Sequence, residues 1–162
     1  KGADMLQKIL QALEMARMPV KVSVHGNVAP DAVEIQARLR ARYGVEFKGQ
    51  YDESFIVDEL RGSNIHVLAL LSAVEETYCY VLTQAVNTGI AILHTGAGAI
   101  GERLEGYQRA FDMSKGQNLE TVLSQMKQYL QAHEGNMTSR IPSSSVVQPN
   151  VWYLENYPLH KR

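Results

Sequence analysis

Ile65-His66-Val67-Leu68-Ala69-Leu70-Leu71 is the most apolar strand candidate in the chain, and its reading decides the fold. An unbroken apolar run of this length suits a strand buried on both faces, near the centre of a sheet. Downstream, a helix over about residues 77–87 is closed by Thr88-Gly89, and Ile90-Ala91-Ile92-Leu93 forms another strand. Upstream, Met5, Leu6, Ile9, Leu10 and Leu13 recur at helical spacing and mark an amphipathic helix over about residues 3–17. Pro19 stops it, and Val20-Lys21-Val22-Ser23-Val24 reads as a short strand ending at His25-Gly26. Ala29-Pro30-Asp31 opens a second helix, which Tyr43-Gly44 ends with a glycine just past the last turn. Val45-Glu46-Phe47-Lys48-Gly49 is a further strand, and residues 54–60 form a shorter helix. Leu119, Val122, Leu123, Met126 and Leu130 give the last amphipathic helix. Strand and helix alternate, which predicts an α/β domain: a Rossmann-like parallel sheet with helices on both faces.

That domain is assigned to residues 1–134. Residues 135–149 are rich in Ser, Gly, Asn and Pro and read as a linker. The aromatic tail beyond, with Trp152, Tyr153 and Tyr157, is expected to dock on this domain or on a partner. With 162 residues, 45% hydrophobic and 20% charged, the chain is an ordinary globular sequence with enough length for a sizeable core. A net charge of -1 gives no pull toward nucleic acid or a membrane surface. Cys79 stands alone, so no internal disulfide forms and a reducing, cytoplasmic setting is expected. One Cys and five dispersed His make a poor zinc set. No apolar run reaches the roughly 18 to 20 residues of a transmembrane helix, and the first residues do not read as a signal peptide.

Three strand-to-helix junctions lie where open α/β sheets take ligands: residues 25–29, 72–80 and 94–102. Free N–H groups and the helix dipole favour an anion at such junctions, and a diphosphate is the natural occupant. Gly96-Ala97-Gly98-Ala99-Ile100-Gly101 is a literal G-x-G-x-x-G. The dinucleotide fingerprint, however, opens the first βαβ unit, and this stretch follows the fourth strand. Glu75 and Glu76 end the loop after the apolar strand, and a second carboxylate at that edge suits sugar hydroxyls. His25, His66 and His94 read as packed histidines at or inside strands.

Ser72-Ala73-Val74-Glu75-Glu76-Thr77-Tyr78-Cys79, then Gln84-Ala85 and Gly89-Ile90-Ala91-Ile92, resembles the C-terminal domain of GT-B glycosyltransferases, the retaining group with a Glu-x7-Glu motif. Gly98-Ala99-Ile100-Gly101-Glu102 looks like the Gly-rich turn of that family, and Lys1-Gly2 like its phosphate-binding Lys-Gly. The likeness spans roughly residues 1–132, in the family's order. It implies the C-terminal half of a GT-B fold that binds a nucleoside-diphosphate sugar, with retention, no catalytic metal and no cofactor beyond that donor. On this resemblance Lys1 neutralises the diphosphate, and the N–H groups of Thr77, Tyr78 and Cys79 at a helix start hold phosphates and sugar. Glu76 faces the transferred sugar and steadies the developing oxocarbenium charge, with Glu75 in that place if the register shifts by one. Gly26 lines the cleft, and the base lies near residues 47–49.

The motif's second Glu, which grips the ribose, falls on Gln84. The neutral amide predicts a contact weaker by about 1 kcal/mol. Residues 106–117 offer no clear counterpart to the family's next strand. An acceptor-binding N-terminal domain is also missing, so the chain is expected to be a module of a longer polypeptide that binds donor and transfers sugar poorly alone. Polysaccharide synthesis is the pathway the resemblance suggests. Two alternatives stand beside it: a non-catalytic nucleotide-binding module, favoured by Gln84, and a nicotinamide-dependent oxidoreductase domain, favoured by G-x-G-x-x-G.

Overall fold

A computed structural model describes residues 2–51, Leu60, residues 65–114, Gly116 and residues 118–133. The expected helix over residues 54–60, Leu60 apart, and the linker and aromatic tail lie outside the described residues. The strands are β1 (Ser23–His25), β2 (Glu46–Gly49), β3 (Val67–Leu70), β4 (Ala91–His94) and β5 (Ala110–Asp112). The helices are α1 (Ala3–Met15), α2 (Val33–Tyr43, entered through a 3-10 turn at Pro30–Ala32), α3 (Tyr80–Thr88), α4 (Ala99–Arg103) and α5 (Leu119–Ala132). The fold is therefore mixed α/β, and every described strand pair is parallel.

Local chemistry sets the element ends. Gly44 and Gly89 close α2 and α3 in the left-handed region, at φ 66° and 68°, where a side chain is strained. Asn118 caps α5 by accepting the Glu120 N–H at 3.0 Å.

Successive side chains of β4 face opposite sides of the sheet, as the two-residue period requires. Leu93 packs with Ile9, Ala12 and Leu13 of α1 and with Val122, Leu123 and Met126 of α5, flanked by Val67 and Phe111. Ile92 faces the other way, onto Leu82 and Ala85 of α3 and Ile100 of α4, flanked by Leu68, Leu70 and Ala110. The β3-β4-β5 sheet is thus covered on both faces, and each residue of β4 is buried. Leu10 of α1 joins a third cluster with Leu39 and Val45, flanked by Val22, Val24 and Phe47.

Two expectations are corrected. Among the described residues the strands form two hydrogen-bonded sheets, β1-β2 and β3-β4-β5, instead of one. The pairing of β1 slips between Val24 and His25, and the run before it is weak: Val20 is 45% exposed and follows Pro19, which has no N–H to donate. Second, a strand does follow the Gly-rich turn. Ala110-Phe111-Asp112 pairs with Ile92-Leu93-His94, but three half-buried residues are too few to show a period. Among the described residues no helix is long and apolar enough to cross a membrane.

Tyr107 donates its hydroxyl to the Ile90 carbonyl at 2.8 Å, and burial pushes its phenol up to about 12 from 10.0. The folded state therefore keeps this proton after the unfolded chain has lost it, so the stabilisation is full below pH 10 and lost as pH rises toward 12. Urea unfolding at pH 8 and pH 11 should show a smaller alkaline loss for Tyr107→Phe than for the parent; equal losses would clear Tyr107 of the effect.

Candidate functional site

Beyond the carboxyl ends of β3, β4 and β5, three loops are stapled together by short polar contacts. The Ser72 hydroxyl donates to the Val74 carbonyl at 2.8 Å and closes a turn just after β3. From the next loop, the Thr95 hydroxyl donates to the Ser72 carbonyl at 2.7 Å, and the Thr95 N–H to the Leu70 carbonyl at 3.3 Å. The Gly96 N–H donates to Nδ1 of the buried His94 at 3.1 Å, which leaves that ring nitrogen as the acceptor. In the third loop, the Ser114 N–H donates to Asp112 Oδ1 at 2.7 Å, and the Ser114 side chain lies against Gly96. Gly2, ahead of α1, meets the Leu71 carbonyl so closely that a Cβ has no room. The start of α1 therefore reaches the same edge.

The glycines of residues 96–101 serve this packing. Gly98 pairs with Glu76 in an isolated parallel bridge, and the Ala99 N–H donates to the Glu76 carbonyl at 2.9 Å. A Cβ on Gly98 would stand 2.6 Å from that carbonyl oxygen and 2.9 Å from the Glu76 nitrogen. One on Gly101 would stand 2.8 Å from the Gly96 carbonyl oxygen. These residues bring two loops into contact; the geometry adds nothing to the dinucleotide reading, which needs backbone left open to a pyrophosphate.

The bridge also explains where α3 begins. Residue 76 is held extended beside Gly98, and Cys79 is still extended, at φ -116° and ψ 101°. The helix opens at Tyr80, three residues later than expected, so the N–H groups of Thr77, Tyr78 and Cys79 precede its first turn. No side chain caps α3, and no acidic residue lies in its first turn.

Arg103, at the end of α4, reaches across to this start. Its Nη1 donates to the Cys79 carbonyl at 3.0 Å and its Nη2 to the Thr83 hydroxyl at 2.6 Å. The guanidinium also covers the Tyr78 ring, 4.5 Å from its centre. Tyr78 meets Tyr80 edge to face at 4.8 Å, and Tyr80 itself is 72% exposed. Burial pushes the Cys79 thiol up, against the pull of the Leu82 N–H; the neighbouring Glu76 carboxylate also raises it, and Arg103 lowers it.

Glu76, Thr77, Tyr78, Cys79 and Gln84 thus belong to one loop–helix unit, with Glu76 half-buried and Glu75 exposed. Gln84 is half-buried on α3, one turn along from Tyr80. Gly26 belongs to the other sheet, where its N–H donates to the Gly49 carbonyl at 2.7 Å, beside the residues expected near the base. Lys1 lies outside the described residues. Arg103 and Thr83 carry no sequence signal: a lone Arg after Glu102 looks like a solvated helix end, and its partners lie on another element.

Among the described residues no group of three or more His, Cys, Asp or Glu is placed to hold a metal ion. A shallow concavity of about 420 Å³ opens along β2, lined by Arg40, Gly44, Val45, Glu46, Phe47 and Lys48. There Lys48 and Lys21, at 2.7 and 3.0 Å, hold the Glu46 carboxyl down to about 2.

Gly98→Ala should part the Glu76 bridge and destabilise the fold by about 1–3 kcal/mol, because the residue combines a φ of 57° with a backbone contact that cannot yield. Amide shifts of Glu76 and Ala99, with thermal unfolding, check this; a silent substitution would show the bridge to be dispensable. Comparison of the chain with known protein families gives no match, and comparison with curated proteins gives none either.

Proposed function

We propose that this chain is the donor-binding half of a retaining GT-B glycosyltransferase, taking a nucleoside-diphosphate sugar at the carboxyl edge of β3, β4 and β5. The observation that carries the reading is the uncapped start of α3 beside Glu76. Its first-turn N–H groups have no side-chain cap, and no acidic residue offsets the helix dipole. An anion fits such an end. With the helix opening at Tyr80, the diphosphate falls to the N–H groups of Tyr80 and Val81, and Thr77 to Cys79 become the approach to it.

A role for Glu76 in the chemistry is supported by its backbone contacts. Its backbone is pinned by Gly98 and Ala99, so its carboxylate starts from a fixed point between two loops. A carboxylate set there in advance would steady the positive charge that builds on the sugar ring as the donor bond breaks. Gln84, on the helix that follows, would meet the ribose. Gly26 and residues 47–49 would line the far side of the cleft, and Lys1 would neutralise phosphate charge. A partner domain of the full-length protein would hold the acceptor.

The second reading, a module that binds nucleotide without turnover, is favoured by one observation: an amide stands at Gln84 where the family's motif has a carboxylate.

Calorimetric titration with UDP, GDP, ADP and NAD separates these readings from the oxidoreductase. Saturable binding of one nucleoside diphosphate is expected, and Gln84→Glu should tighten it about fivefold through a charge-assisted bond to the ribose. Binding of NAD alone would sink the proposal. In the full-length protein, Glu76→Ala should lower turnover about a hundredfold or more while donor affinity stays within a few-fold; near-parent turnover would remove Glu76 from the mechanism.

A further inference from the structure

Arg103 is a cation in a poor place. It is half-buried at the positive end of α3, where the helix dipole opposes a cation. Desolvation works against its charge as well. Its contacts are nevertheless specific. One guanidinium spans three residues of a different element: the Cys79 carbonyl, the Thr83 hydroxyl and the Tyr78 ring. The Tyr78 and Thr83 hydroxyls also pair, at 3.3 Å, so two of the three contacts are joined to each other. Arg103 ends the helix whose first residue, Ala99, donates to Glu76. The α4 segment therefore grips the loop–helix unit at both ends, by backbone at residue 76 and by guanidinium at residues 78–83.

We propose that Arg103 is a positioning residue for the donor site, acting through Tyr78, Cys79 and Thr83 without touching the donor. It fixes the first turn of α3 relative to Glu76, so that the phosphate-binding N–H groups and the carboxylate keep one spacing. This rests on the donor-binding reading above. The work needs a planar fork with two directed donors and a flat face, which a lysine ammonium does not supply.

The test uses this chain, the nucleoside diphosphate that binds it most tightly, and the thiol of Cys79, the sole cysteine, as a local probe. In Arg103→Lys the dissociation constant should rise about tenfold, and iodoacetamide should alkylate Cys79 faster because the segment opens more often. Thr83→Val should move both readouts the same way by less, and the double variant should fall short of the sum of the two. Tyr107→Phe, which removes a hydrogen bond at the other end of β4, controls for general stability: it should lower the melting temperature and leave both readouts near the parent's. Parent-like affinity and alkylation in Arg103→Lys would overturn the proposal alone, and so would a Tyr107→Phe variant that shifts both readouts equally. A parent chain that binds none of the nucleoside diphosphates would overturn the donor reading and this role with it.

Discussion

Ile9 and Leu13 press onto Leu93 and the inner face of α5, while Leu10, between them in sequence, turns to Leu39 and Val45. One helix is thereby buried from two sides, and the two sheets share no ladder of their own. Each such side chain contributes about 1.5–3 kcal/mol by leaving water, so α1 joins the β1-β2 layer to the sheet that carries the site. Gly2 makes the arrangement possible at its start, since any side chain there would strike Leu71. The relative placing of Gly26 and Glu76 depends on this helix more than on any strand pairing.

The site is organised by a different economy. The loops after β3 and β4 meet through backbone, at Glu76 and Gly98, and through the Thr95 hydroxyl on the Ser72 carbonyl, while the Ser72 hydroxyl closes the turn within its own loop. Long side chains would have to be ordered on folding at an entropic cost, whereas these contacts use groups already fixed by the strands. Beside these contacts lie the uncapped start of α3, the half-buried Glu76 carboxylate next to the Cys79 thiol, and Gln84.

Much of this was legible in the residues. Gly44 and Gly89 marked helix ends because the left-handed region is costly to anything else. The run at residues 65–71 marked a strand, but not its place: in the described sheet β4 lies between β3 and β5 and is buried throughout, while β3 is half-buried with Ala69 exposed. Other features were not legible, for physical reasons. β5 is too short for periodicity. The late start of α3 comes from a bridge to Gly98, twenty-two positions away, and local helix signals cannot register it. The division of the described strands between two sheets is a matter of long-range pairing, which no composition announces. Arg103 lies inside the glycine-turn helix, yet its partners are Cys79, just before α3, and Thr83 within it.

The charged cluster on β2 bears on how copies of the chain treat one another. In the described ladder β2 has a strand on one side only, and an open strand edge invites a second molecule to add to it. Lys48 and Glu46 stand on that strand with Lys21 beside them, and Glu46 stays ionised down to about pH 2. An incoming strand would have to strip water from three charges before it gained a hydrogen bond, so the contacts that neutralise Glu46 also guard the edge against self-association.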